Sequence, residues 1–251
     1  MRHKEVAIIV AGGKGLRLPG DTPKQFLEIG GLPVLMHTIK AFLAYNQSTE
    51  IVLVLPVADF SRWENLCRQY SFHHPVTQVA GGETRFQSVK NGLDSVDAPG
   101  VVAIHDGVRP LVTPTIIAAS FEIARQRGSA VASVPLKESI RQLGADAISP
   151  ADAESKSIQS LPGTSLASGR GTQAVDRSRY RIMQTPQTFD IGLLKSAYSL
   201  PENDALTDDA SVAERAGHSV TLIEGSYENL KITTPVDLVV AEAIIRSRAP
   251  Q

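Results

Sequence analysis

The chain has 251 residues, 42% of them hydrophobic and 20% charged, which is enough for one large α/β domain with a sizeable buried core. Its 25 basic and 26 acidic side chains leave a formal charge of -1, so no bulk field points to nucleic acid or to an anionic membrane. The single cysteine, Cys67, excludes an intramolecular disulfide and a four-cysteine zinc site, and it lies in a helical pattern that favours packing over chemistry.

Taken in chain order, the first predicted element is the strand Val6–Val10, a near-continuous apolar run of the kind buried on both faces of a parallel sheet. It is too short for a secretory h-region, and no apolar run approaches the roughly 20 residues of a membrane span, so a cytoplasmic setting is expected. Runs at 51–55, 101–104, 130–134 and 220–223 are read as further strands. Between them, Ser61 with Glu64 and Thr84 with Gln87 fit capping boxes that open helices. Thr113-Pro114 and Thr234-Pro235 place proline at a first helical position, and the last helix runs on through Ala241, Ile244 and Ile245. Alternating strands and helices predict an α/β fold: a Rossmann-like, mostly parallel sheet flanked by helices, with ligands beyond the carboxyl ends of the strands. The stretch 144–173 breaks this rhythm. It is rich in Ser, Ala and Gly without a period, and it is read as part of a projecting arm of about 136–181 inserted in a single domain, 1–251.

Directly after the first strand comes Ala11-Gly12-Gly13-Lys14-Gly15-Leu16-Arg17. Glycines let the backbone approach a ligand and turn N–H groups inward, which makes an anion cradle. It is not a Walker loop, since Lys14 is not followed by Ser or Thr, and it lacks the third glycine of a dinucleotide fingerprint. Arg17 and Lys24 add two cations, a combination that suits a triphosphate better than a simple turn. Asp106 follows a buried strand at its carboxyl end, where a carboxylate can hold Mg²⁺ beside a triphosphate, or can serve as a cap or salt bridge. His105 is expected to be packed, and Asp208 and Asp209 can serve a helix N-terminus.

The blocks AGGKGLR…PKQFLEIGGLPVLMHTI, Gly81–Val89, His105–Pro110, Gln184–Gln187, Thr207–Ser211 and Glu228–Thr233 together resemble the sugar-nucleotidyltransferase superfamily. More narrowly, they are similar to the 2-C-methyl-D-erythritol 4-phosphate cytidylyltransferase family of non-mevalonate isoprenoid biosynthesis. The resemblance implies that Ala11, Gly12, Gly13, Gly15, Arg17 and Lys24 hold the phosphates of CTP, with Arg17, Lys24 and Lys231 catalytic. It places Gly82, Glu83 and Ser88 near the cytosine and ribose, Lys231 at the α-phosphate, and Asp106 at Mg²⁺ and the substrate. Ser139, Arg177, Thr185 and Thr207 would bind the polyol phosphate, while Arg85 and Arg109 brace the site. It also implies a homodimer in which each arm embraces the other subunit; neither nucleic acid nor membrane is a partner. The chain departs from the family pattern at Gly107 and Val108, where two alanines are frequent, at Ser139, where Thr is frequent, and in a longer arm. A pentitol phosphate such as ribitol 5-phosphate is the rival acceptor. A catalytically inactive nucleotide-binding regulator and a structural partner protein are rivals of other classes.

Overall fold

The computed structural model describes residues 4–12, 22–97, 99–143, 172–203 and 205–248. It divides into two compact units, 1–134 with 183–251, and 135–182.

The first unit is built on a seven-stranded sheet. Its strands are β1 (Glu5–Val10), β4 (Glu50–Leu55), β5 (Thr77–Ala80), β6 (Val101–Asp106), β7 (Ser129–Pro135), β10 (Arg181–Asp190) and β11 (Leu222–Glu224), in the order β11-β7-β10-β6-β1-β4-β5. The β6-β1-β4-β5 half is parallel throughout, β11 runs parallel to β7, and β10 runs antiparallel to β6. A short ribbon, β2 (Glu28–Ile29) with β3 (Leu32–Pro33), stands apart from this sheet. The second unit carries the antiparallel pair β8 (Arg141–Leu143) and β9 (Thr172–Ala174).

The unbroken apolar run of β1 is explained by its two covered faces. Ala7 and Ile9 enter one core with Leu35, Ile39 and Phe42 of α1 (Val34–Tyr45), Trp63 of α2 (Phe60–Gln69) and Phe121 of α4 (Pro114–Arg127). Val6 and Ile8 enter the other with Val89 and Leu93 of α3 (Arg85–Asp94), Leu194 of α5 (Ile191–Ala197) and Val212 of α6 (Asp209–Arg215). Successive strand side chains point to opposite faces, so a strand covered on both sides is apolar at every position. Gly92 makes the α3 contact possible: a Cβ there would sit 2.8 Å from Ile8 Cγ2 and 3.1 Å from Val54 Cγ2. A third cluster joins Ile29, Val34, Val108 and Ile232 to Ala241, Ile244 and Ile245 of α7 (Pro235–Arg248).

Most of the predicted elements form, with some corrections. Thr84 and Thr113 cap α3 and α4, accepting from the N–H groups of Gln87 and Ile116. The Thr84 box is displaced by one residue, because the Gln87 side chain accepts from Glu83 N rather than from Thr84 N. The Ser61 cap does not form: α2 already starts at Phe60, behind a single 3-10 turn, Val57–Asp59. The strand expected at 220–223 is Leu222–Glu224, since only that stretch pairs with β7. Cys67 is half-buried against the first core, and burial pushes its thiol up to about 11, which leaves it protonated and inert at neutral pH. No described helix is long and apolar enough to cross a membrane. Gly13, Gly15, Arg17 and nearly all of the 144–173 stretch lie outside the described residues.

Candidate active site

The parallel register brings the chemistry to one edge of the sheet. Val10 aligns with Val54 on one side and with Asp106 on the other, so β1, β4 and β6 end level. The ladder then runs one residue further: Ala11 N donates to Val54 O (2.9 Å), Gly107 N to Val10 O (2.8 Å) and Gly81 N to Leu55 O (2.8 Å). Ala11-Gly12, Gly81-Gly82 and Asp106-Gly107 therefore leave the sheet side by side at its carboxyl edge, where doubly wound sheets bind ligands.

Ser88, on the first turns of α3, ties part of this edge together. Its Oγ donates to Thr84 O (2.9 Å) and accepts from Gly82 N (3.1 Å), and it lies 3.9 Å from where a Cβ on Gly12 would stand. Gly82 admits no side chain, because a Cβ would fall 2.4 Å from Gln87 Cβ. Gly12, Gly82 and Ser88 thus form one small-residue surface, whereas Glu83 beside them is exposed. The short helix Lys24–Phe26 is held to the same edge by the buried Gln25 amide, which donates to Ala11 O (3.0 Å). That bond sets Lys24, half-buried, one residue from the anchor.

The second group centres on the buried carboxylate of Asp106. Its Oδ2 accepts from Arg109 Nε (3.1 Å) and Lys231 Nζ (3.1 Å), and its backbone N–H donates to Thr185 Oγ1 (3.1 Å). Burial pushes the Asp106 pKa up, but the cations of Lys231, Arg109 and Arg85 outweigh it and hold the group well below the ordinary carboxylate range. Arg109 also donates to Asn229 O (2.8 Å). Arg109 is buried, with Nε and Nη1 both committed to these partners, while Lys231 keeps 42% of its side chain exposed and can reach a ligand. His105, next in line, is fully buried with Nε2 3.3 Å from Arg109 O, and burial lowers its pKa to about 4, so it is neutral and packed.

A third group sits beneath the segment carrying Thr207. Asp208 caps α6 in a reciprocal box with Ser211 and accepts from Gln187 Nε2 (2.8 Å). Asp209 is fully buried, accepting from both terminal guanidinium nitrogens of Arg85, Nη1 and Nη2 (3.0 and 2.6 Å), and from the Tyr198 hydroxyl (2.6 Å). Arg85 stands at the start of α3, so this pair ties the Gly82 segment to the N-terminus of α6. Thr207 itself is exposed just ahead of the cap. Ser139 and Arg177 belong to the second unit, where both are exposed and Arg177 Nη1 donates to Lys137 O.

The structure thus brings Ala11, Gly12, Gly82 and Ser88 into one surface, and Asp106, Thr185 and Lys231 into another on the same sheet edge. Sequence reading assigned no role to Gln25, Gln187 or Asn229. Each is a buried amide within or beside a quoted motif, and that combination of polarity and apolar surroundings was the available signal.

The family model for 2-C-methyl-D-erythritol 4-phosphate cytidylyltransferase matches residues 5–159 and 166–247. A protein of that name from Phocaeicola vulgatus is 45% identical over 238 residues, 95% of this chain and 98% of its own. Another from Bacteroides thetaiotaomicron is 45% identical over 96% of this chain and 100% of its own. Among solved structures, the 4-diphosphocytidyl-2C-methyl-D-erythritol synthase of Anaerococcus prevotii aligns with a TM-score of 0.76 at 25% identity, covering 97% of this chain and 96% of that one. The 2-C-methyl-D-erythritol 4-phosphate cytidylyltransferase of Thermus thermophilus aligns at 0.68 with 29% identity, covering 97% and 99%.

Proposed function

We infer the reaction from one premise: the chain belongs to the 2-C-methyl-D-erythritol 4-phosphate cytidylyltransferase family. It transfers CMP from CTP to 2-C-methyl-D-erythritol 4-phosphate and releases pyrophosphate, in non-mevalonate isoprenoid biosynthesis. The observation that carries this for the chain's own residues is the cationic cluster Lys231–Asp106–Arg109 set on the same sheet edge as the Gly12–Gly82–Ser88 surface.

An oxygen of the acceptor phosphate attacks the α-phosphorus of CTP, the bond to the bridging oxygen breaks, and pyrophosphate departs in line with its electron pair. The attacking oxygen is already anionic at neutral pH, so no strong base is needed, and catalysis reduces to positioning and charge neutralisation. We assign Ala11, Gly12, Gly13 and Gly15 to the phosphates, and Gly82, Glu83 and Ser88 to the cytidine. A surface of backbone groups and short side chains suits a small base read by a few hydrogen bonds. Arg17 and Lys24 neutralise the triphosphate, and Lys231 the α-phosphoryl oxygens as charge spreads over them. Thr207, Thr185, Ser139 and Arg177 take the acceptor.

The residues present fit Mg²⁺. Both ion pairs of Asp106 run through Oδ2, which leaves Oδ1 outside them, and a single carboxylate beside a triphosphate is the usual protein share of a Mg²⁺ site. Asp106 would hold the ion, which when bound neutralises triphosphate charge.

The dimer is part of the same reading. The unit 135–182 is the candidate arm, a closed two-fold exchange is the commonest oligomer symmetry, and Arg177 would then serve the partner's acceptor site. A cytoplasmic setting agrees with a single inert cysteine.

The test is pyrophosphate release with CTP and a panel of polyol phosphates. Turnover should be fastest with 2-C-methyl-D-erythritol 4-phosphate. Preference for ribitol 5-phosphate would reassign the acceptor, and CTP binding without turnover on any acceptor would favour a regulatory module.

A further inference from the structure

We propose that Asn229 is a positioning residue, which holds Lys231 over Asp106; this rests on the cytidylyltransfer reading above. Asn229 lies in the irregular segment between β11 and α7, yet it is fully buried. Its backbone carbonyl accepts from Arg109 Nη1 (2.8 Å), and its Nδ2 donates to Thr185 O (2.8 Å), with Gln184 Oε1 at 3.4 Å. Three residues on, the buried Ile232 donates its N–H to Val108 O (2.9 Å). Lys231 therefore stands between two anchors, both fastened to the Asp106–Arg109 turn or to the Thr185 backbone beside it.

The need for such anchors follows from the lysine. Its stem has four rotatable bonds, and on a loose loop the ammonium would sample a wide volume. Held at both flanks, it reaches Asp106 Oδ2 at 3.1 Å while 42% of the side chain remains open to a ligand. Asn229 acts on the other partners too. It grips the carbonyl of Thr185, whose hydroxyl accepts from Asp106 N, and its own carbonyl grips Arg109, which pairs with Asp106. One buried amide residue thus joins Lys231, Arg109 and Thr185, three groups that converge on one carboxylate.

The orientation of the amide is set by its neighbours. Nδ2 faces two oxygen acceptors, and exchanging the two ends would set Oδ1 against Thr185 O. In this orientation Oδ1 is buried without a partner. A residue serving only to fill space would avoid that cost, as an apolar side chain of similar size does. The cost is explained if the donor end is required where it stands.

The experiment measures kcat and KM for CTP in the wild type, Asn229→Ala, Asn229→Asp, Lys231→Ala and the Asn229→Ala/Lys231→Ala double variant, with a melting curve for each. Asn229→Ala should lose about tenfold in kcat, the scale of one misplaced transition-state contact, with KM for CTP changed less than about twofold. In the Lys231→Ala background, assayed at raised enzyme concentration, the same substitution should cost at most about threefold, the part that runs through Thr185, because groups acting as a unit are not additive. Asn229→Asp keeps the side-chain volume but not the donor, so it should lose kcat as Asn229→Ala does, and with its own Asn229→Asp/Lys231→Ala double variant it carries the cycle if Asn229→Ala does not fold. Asn46→Ala removes an amide clasp to Glu5 at the opposite end of β1 and should lower the melting temperature without changing kcat. Equal losses of kcat in both Lys231 backgrounds, or a lowered melting temperature with kcat intact, would overturn the assignment to Asn229. Absence of wild-type turnover would instead overturn the reading on which it rests.

Discussion

His105 should make the stability of this protein fall as the solution is acidified from neutral pH. The ring is fully buried on β6, edge-on to Phe42 with ring centres 5.2 Å apart, with Nε2 facing Arg109 O and Nδ1 without a partner. Burial is the main cause that lowers its pKa to about 4; Asp106 and the hydrogen bond to the Arg109 carbonyl pull the other way, and the charges of Arg109 and Lys231 add to the lowering. A base whose folded pKa is depressed is protonated first in the unfolded chain, at about 6.5. Its contribution is therefore complete above about pH 6.5, declines by about 1.4 kcal/mol per pH unit below that, and is lost by about pH 4, a total of about 3 kcal/mol. Urea unfolding of the wild type and of His105→Gln at a series of pH values isolates this, since other groups, including His37 with its own burial-lowered pKa, cancel in the difference. The wild type should lose about 2.5 kcal/mol relative to the variant between about pH 7.5 and about pH 4.5. Parallel stability curves would refute the argument, because they would mean that the ring is not held neutral by its surroundings.

Four further outcomes are expected. Asp209→Ala strands Arg85 and the Tyr198 hydroxyl and should cost about 3 kcal/mol in urea unfolding, the lower end for a broken buried pair because 31% of the Arg85 side chain is exposed; a cost under about 1 kcal/mol would show the pair to be screened by solvent. Lys24→Ala should lower kcat more than it raises KM for CTP, and a pure KM effect would make Lys24 a uniform binding group. Activity should vanish in excess chelator and return with Mg²⁺, and Asp106→Ala should lose turnover severely while its circular dichroism spectrum persists; undiminished turnover with chelator would remove the metal from the scheme. Inactive Arg17→Ala and Arg177→Ala, mixed, unfolded and refolded together, should recover about a quarter of wild-type activity if Arg177 serves the partner's site, and none despite demonstrated subunit exchange if it serves its own.

The sequence by itself determined the layer plan and the placement of the chemistry. Apolar runs such as Val6–Val10 specify strands buried on both faces, since no half-exposed strand would be apolar at every position. Thr84 and Thr113-Pro114 specify helix starts through local hydrogen bonds alone. Asp106 at the end of such a run was legible as a site residue for the same reason. What local pattern could not decide was everything that depends on partners distant in the chain. The antiparallel strand Arg181–Asp190 has polar residues at Gln184, Thr185, Gln187 and Thr188, all buried, and so lacks an apolar strand pattern; Ser226 and Asp208 accept from its Gln184 and Gln187 amides, and Asn229 donates to the Thr185 carbonyl. Ser61 looked like a cap, but the chain entered α2 one residue earlier, out of the preceding 3-10 turn. Arg85 with Asp209, 124 residues apart, and Asn229 with Arg109, 120 apart, meet only after the sheet has formed. A buried polar group must find its partner wherever the fold places one, and no spacing in the sequence encodes that distance.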